Sequence, residues 1–298
     1  MRLLHELATV SRKLPPSRTK VRVGRLVSIV AAGVGLDPRT VITLRDGSRM
    51  LLDPRSRTEA GPFWDQAYEA DYVRVICDLA DKCHPVVYDV GANVGLVTIP
   101  VAMRVRERSG QVVCFEPVAE NHQRLVENLR LNDLTRTCVP YRLALAASEG
   151  KASMEREASF GATTGNALFK VHGLGGVRRS VASTIDIARL DDVIAHDDLP
   201  MPDVIKLDVE GSEVGFLAGA RETLNRARPV VLGEFNSGLM PRFGHTFLDV
   251  VPLLPPGYSV FGFVDAETIV EKIPSIGLGD VLLVPREKVS TLPLRVRD

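Results

Sequence analysis

Residues 86–95 read V-V-Y-D-V-G-A-N-V-G. A short β-branched run closing on two glycines is a buried strand that ends in a tight turn. Val97–Val105 then reads as an apolar helix. Q-V-V-C-F ending at Glu116 is a second strand, and Ala119–Leu131 a second helix. Beyond these, Val139–Leu145, Val204–Leu207 and Pro229–Phe235 read as strands, with helices expected at Ser212–Asn225 and Thr246–Leu254. Strands alternating with helices build a mostly parallel sheet covered on both faces. Tyr258–Phe263 and Val281–Val284 follow without a clear long helix between them, which suits a closing antiparallel pair.

Working back toward the N-terminus, Phe63–Lys82 reads as one helix, with Tyr72, Val75, Ile76 and Leu79 at helical spacing. Val41–Asp53 is a hairpin turning at Asp46-Gly47. Met1–Leu14 is a short amphipathic segment, read either as a packed terminus or as a surface or lipid contact. Two units are expected: a 1–60 extension carrying the hairpin, and a 61–298 domain. Glu155–Val181, rich in glycine, interrupts the alternation and reads equally as a lid over a site or as a plain loop.

The chain of 298 residues has 37 basic and 37 acidic side chains. A general nucleic-acid binder carries a basic excess, so no nucleic acid is expected as a partner. Cys77, Cys83, Cys114 and Cys138 form no C-x-x-C pair, which predicts reduced thiols and no zinc site. No run reaches the ~20 apolar residues of a membrane span, and a cytoplasmic protein is the expectation.

Ligands of such sheets sit at the carboxyl ends of the strands. The turn D-V-G-A-N-V-G departs from the dinucleotide fingerprint G-x-G-x-x-G, because Asn93 stands where the second glycine would meet a pyrophosphate. Asp89 adds a carboxylate that suits a ligand with a cationic end. Glu116 closes the next strand, where such sites place a ribose-binding acid. S-adenosylmethionine (AdoMet), with a sulfonium, an ammonium and a ribose, satisfies both features. Asp89, Gly91, Ala92, Asn93, Gly95, Glu116 and Pro117 are the expected cofactor residues.

Four blocks in this order resemble the FkbM-type methyltransferase family: V-Y-D-V-G-A-N-V-G-L, C-F-E-P-V-A-E-N with N-L-R-L-N after it, I-K-L-D-V-E-G-S-E-V-G-F-L-A-G-A, and R-P-V-V-L-G-E-F. The resemblance covers about residues 61–263. It implies a Rossmann-like methyltransferase fold, AdoMet as donor, and a hydroxyl of a small molecule or glycan as acceptor. A-Y-E, Ala67–Glu69, resembles the family's Y-E element and adds Glu69 to the cofactor set, although Ala67 stands where the family has glycine.

Alkylating a hydroxyl needs in-line alignment and a base for the departing proton. Asp208 is the first candidate, touching cofactor or acceptor, with His245 and Glu234 behind it and Glu210 positioning the acceptor. Asp208, Glu210 and Glu234 could alternatively hold Mg²⁺, although no metal is assigned. Glu213 reads as a structural residue at a helix start. Competing readings are a protein or RNA methyltransferase, a nicotinamide-dependent oxidoreductase and a non-catalytic AdoMet binder.

Overall fold

The computed structural model describes residues 2–66, 68–157, 167–169, 180–272 and 279–297. Helices α1 (Arg2–Ser11) and α2 (Arg18–Gly33) lead into the hairpin β1 (Thr40–Thr43) and β2 (Arg49–Leu52). Helices α3 (Arg57–Asp65) and α4 (Ala70–Leu79) come next. The alternating part runs β3 (Val86–Val90), α5 (Thr98–Arg106), β4 (Gln111–Phe115), α6 (Ala119–Leu131) and β5 (Cys138–Tyr141). Then come β6 (Ala144–Leu145), β7 (Gly150–Glu157), β8 (Ala167–Phe169), β9 (Ser180–Ala188) and α7 (Leu190–Asp197). The chain continues through β10 (Val204–Leu207), α8 (Glu213–Gly219), α9 (Arg221–Ala227) and β11 (Val230–Glu234), and ends with β12 (Tyr258–Phe263), β13 (Thr268–Glu271), β14 (Asp280–Pro285) and β15 (Arg295–Arg297).

Among the described residues the largest sheet has nine strands in the order β15-β13-β12-β14-β11-β10-β3-β4-β5. From β11 to β5 the pairs are parallel, while β14 runs antiparallel to β11 and β12 antiparallel to β14. The parallel strands and the antiparallel closure match the sequence reading. Chain order reverses between β3 and β10, which puts the switch point beside Gly91 and Asp208.

Alternation along each strand divides the core. Val87, Val112, Val204 and Leu232 face one side and Tyr88, Val113, Ile205 and Val231 the other. Ala8, Ile42, Met50 and Leu52 belong to the same buried cluster as Val87, so the N-terminal segment shares the domain's core. The expected boundary at residue 60 falls inside α3. A buried pair joins Arg124 of α6 to Glu59 of α3, and Asn128 Oδ1 accepts the Leu51 N–H at 2.7 Å.

Several expected elements break up. Phe63–Lys82 is two helices rather than one, because Gln66 and Glu69 adopt left-handed φ values of 55° and 37°. Ser212–Asn225 divides at Ala220, and Asp191 Oδ2 and Oδ1 accept the N–H groups of Glu222 and Thr223 at the start of α9. Thr246–Leu254 forms two short 3₁₀ turns, the second opening on Val251-Pro252, where proline lacks a helical donor. Val139–Leu145 splits between two sheets, with β6 pairing to β9. The four-stranded sheet β6-β9-β7-β8 occupies part of the stretch read as a glycine-rich interruption. Residues 158–166 and 170–179, which carry its glycines, lie outside the described residues. Helix α2, valine-rich and holding Gly24 and Gly33, was not expected from its weak intrinsic helix propensity.

Candidate active site

Two loops meet at the switch point. Gly91 has φ +83°, and a Cβ added there would lie 1.8 Å from the Asp208 carbonyl oxygen. Only glycine lets the β3 turn lie against the end of β10. Gly95 is tight as well, with Leu125 Cδ1 2.8 Å from its notional Cβ. Asn93, at φ +50°, completes the left-handed turn.

Below this contact a charged pair is buried. Lys206 and Asp89 are direct partners in the β10–β3 register, with Lys206 Nζ 3.1 Å from Asp89 Oδ1. Thr98 Oγ1 donates to Asp89 Oδ2 at 2.6 Å, and Lys206 Nζ donates to the Gly91 carbonyl at 2.8 Å. Asp89 is 2% exposed and does not line the adjoining slot. The sequence reading aimed it at a cationic ligand; the structure places it behind the turn, where it neutralises the lysine that holds the turn.

Gly91, Asn93, Phe115, Glu116, Pro117, Asn121, Leu143–Leu145, Met154 and Asp208–Glu210 line a slot at the strand ends. Glu116 Oε2 accepts the Asn93 N–H and Oε1 the Val118 N–H, both at 2.9 Å. Asn121 Nδ2 also donates to Oε1, at 3.3 Å. Burial pushes the Glu116 carboxyl up to about 7, opposed by these hydrogen bonds. The Oδ1 atoms of Asn93 and Asn121 are buried without a partner. Sequence reasoning missed Asn121, Leu143–Leu145 and Met154. The first lies in the opening turn of α6, five residues past Glu116, a findable signal, whereas Met154 comes from the unforeseen second sheet.

A wider cavity of about 440 Å³ opens on the other side of Asp208. Its carboxylates are Glu69, Asp71, Asp208, Glu234, Asp265 and Asp280, with Lys206 as the lysine among them. Burial pushes the Glu69, Glu234 and Asp280 carboxyls up, and the negative charge of Asp208 adds to each shift. Glu69 therefore stands on this cavity rather than on the slot. Tyr72 Oη donates to the Leu232 carbonyl at 3.3 Å and fixes the floor. Asp71, Asp265 and Asp280 carried no sequence signal, because their elements are far apart in the chain.

His245, expected as an alternative base, lines neither space. Its N–H reaches back to the Met240 carbonyl at 3.2 Å, in the turn after a 3₁₀ segment. Glu210 lies on the slot at φ +53°. Glu213 is fully buried and accepts the Gly211 N–H at 2.9 Å, which gives it the structural place expected. Among the described residues no group of three or more His, Cys, Asp or Glu side chains is arranged to hold a metal ion.

The sequence matches the methyltransferase FkbM domain over residues 89–264, more than half of the chain. It is 27% identical over 221 residues to hexuronic acid methyltransferase AglP of Haloferax volcanii, covering 74% of this chain and 84% of that protein. It is also 27% identical over 227 residues to 2-O-methyltransferase NoeI of Sinorhizobium fredii, covering 70% of this chain and 88% of that protein. A solved FkbM methyltransferase from Methylobacillus flagellatus superposes with a TM-score of 0.43 at 17% identity. That superposition covers 67% of this chain and 43% of the solved one. On the match to the FkbM domain, the chain belongs to the FkbM methyltransferase family and is a methyltransferase.

Proposed function

We propose that the protein transfers a methyl group from AdoMet to a hydroxyl of a sugar or similar small acceptor. The observation that carries this reading is the position of Asp208, which lines both the slot and the wide acidic cavity. Donor on one side and acceptor on the other would put the transferring carbon beside one carboxylate.

The slot fits AdoMet on its own chemistry. Glu116 Oε2 accepts one protein hydrogen bond, leaving acceptor capacity for a ribose hydroxyl. The orphaned Asn93 and Asn121 oxygens call for donors, which hydroxyl, ammonium and adenine amino groups supply. Leu143, Leu145 and Met154 give apolar walls for a flat base. When bound, AdoMet supplies a methyl group already activated on a sulfonium.

The remaining tasks fall to the chain. Lys206 and Asp89 hold the Gly91 turn against β10, fixing the slot relative to Asp208. Asp208 is placed to accept the hydroxyl proton as the oxygen attacks. Glu234, Asp280 and Glu69 surround the same space, where their carboxylates can accept hydrogen bonds from acceptor hydroxyls. Glu234 is the second candidate base, and its raised carboxyl pKa brings it nearer to working pH.

The names of the two curated relatives, a hexuronic acid methyltransferase and a 2-O-methyltransferase, support a sugar-type hydroxyl acceptor. The acidic lining narrows the class to neutral or amine-bearing acceptors, because a uronate carboxylate would meet Glu69, Asp208, Glu234 and Asp280. The same lining disfavours the phosphates of RNA. Isotope-labelled AdoMet offered with neutral, amino and uronic sugars tests this. The expected product is an O-methyl ether of a neutral or amino sugar; a preference for uronates, or label on nitrogen or nucleic acid, would overturn it.

A further inference from the structure

Residues 1–36 hold seven Lys and Arg against one acidic residue, Glu6, so the chain's overall neutrality conceals a basic end. The same segment is unusual in its apolar exposure. Of the thirteen large apolar side chains exposed among the described residues, nine lie between Leu7 and Leu36.

Their arrangement on α2 is ordered. Val23, Leu26, Val27 and Val30 recur at helical spacing, continued by Val34 just past the helix end, and Leu26, Val30 and Val34 are 60%, 60% and 74% exposed. The opposite side of the helix is committed inward. Gly24 lies so close to Trp64 that an added Cβ would come 2.4 Å from the indole, and Ser28 is fully buried. The apolar stripe therefore cannot be the face that packs on the core. Leu7 and Val10 of α1 extend the exposed apolar surface. Arg18 and Arg22, one turn apart and exposed, border the stripe, and Lys13 is exposed in the link between the helices.

We infer that α1 and α2 form a docking surface for an anionic lipid bilayer. An apolar stripe flanked by exposed bases is the pattern of a helix lying in the headgroup layer. A span is excluded on length and charge: α2 has 16 residues, about 24 Å of helix, and no described helix is long and apolar enough to cross a membrane. A second copy of the chain fits the surface poorly, because two strongly basic segments would face each other. The surface is also tied to the acceptor side of the enzyme. An ion pair joins Lys20 of α2 to Asp65 at the end of α3, and Glu69, four residues further on, lines the wide cavity. This inference is independent of which acceptor is methylated.

Co-sedimentation of the full chain with vesicles tests it, using phosphatidylcholine alone and phosphatidylcholine with roughly a third phosphatidylglycerol. The expected result is binding to the anionic vesicles at least ~10-fold stronger than to the neutral ones, weakening as salt is raised. Leu26→Asp with Val30→Asp, and separately Arg18→Glu with Arg22→Glu, each lower that binding ~10-fold or more. Both pairs are exposed, so circular dichroism should show an unchanged fold. Absence of binding to anionic vesicles at low salt overturns the inference, as does undiminished binding in Leu26→Asp/Val30→Asp. A wild-type dimer that this variant converts to a monomer, without any vesicle binding, would reassign the stripe to self-association.

Discussion

The slot and the wide cavity share Asp208 and little else. The slot is narrow and built around backbone donors, with Glu116 engaged by the Asn93 and Val118 N–H groups. The cavity is wide and lined by carboxylates from five separated parts of the chain. On the proposed reading the slot holds the donor and the cavity, with its titratable groups, receives the acceptor. If donor binding and proton removal are divided in this way, substitutions on the two sides should fail differently.

The largest effect is expected on the slot side. Gly91→Ala sets a Cβ 1.8 Å from the Asp208 carbonyl in a left-handed backbone, where strain alone costs about 1–3 kcal/mol. The clash is with protein rather than ligand, so AdoMet binding should fall beyond detection and Tm should drop in the same variant. A stable Gly91→Ala that binds AdoMet normally would break the account of the two loops. Glu116→Ala should weaken AdoMet binding by ~10–100-fold, read by calorimetry, while acceptor KM stays within about threefold.

On the cavity side, Glu234→Gln should lower kcat/KM by about 10-fold and leave AdoMet affinity unchanged. His245→Ala, lining neither space, should change either constant by less than about threefold. A large loss in the histidine variant would move the base out of the cavity. The smallest effect concerns pH. A carboxyl raised on folding stabilises the fold when protonated, and that contribution is lost as pH climbs from 4.5 to about 7. The Tm of wild type relative to Glu116→Gln should therefore fall from pH 5 to pH 8, and a constant difference would mean Glu116 keeps an ordinary carboxyl.

The same contrast explains what the sequence made legible. The slot's turn is contiguous, so Asp89–Gly95 and Glu116 could be read from strand ends and glycine spacing. Even there the direction of Asp89 was hidden, because its partner Lys206 is a neighbour only through β3–β10 pairing. The parallel strands were legible as dense β-branched runs. The second sheet was not, since β7 (G-K-A-S-M-E-R-E) is polar and weakly patterned and β9 (S-V-A-S-T-I-D-I-A) alternates only over Ile185–Ile187. Asp280 joins the cavity because β14 pairs antiparallel with β11, opposite Glu234. No local spacing announces such a pairing.

Asp208 is where the two regions meet, and Asp208→Asn tests the central claim most directly. The substitution keeps the side-chain shape and removes the charge, so AdoMet affinity and turnover should be measured on the same preparation. The account predicts an AdoMet Kd within about threefold of wild type and a kcat lowered by ~10²-fold or more. Full turnover in Asp208→Asn would contradict it, and would show that the carboxylate shared by slot and cavity takes no part in the transfer.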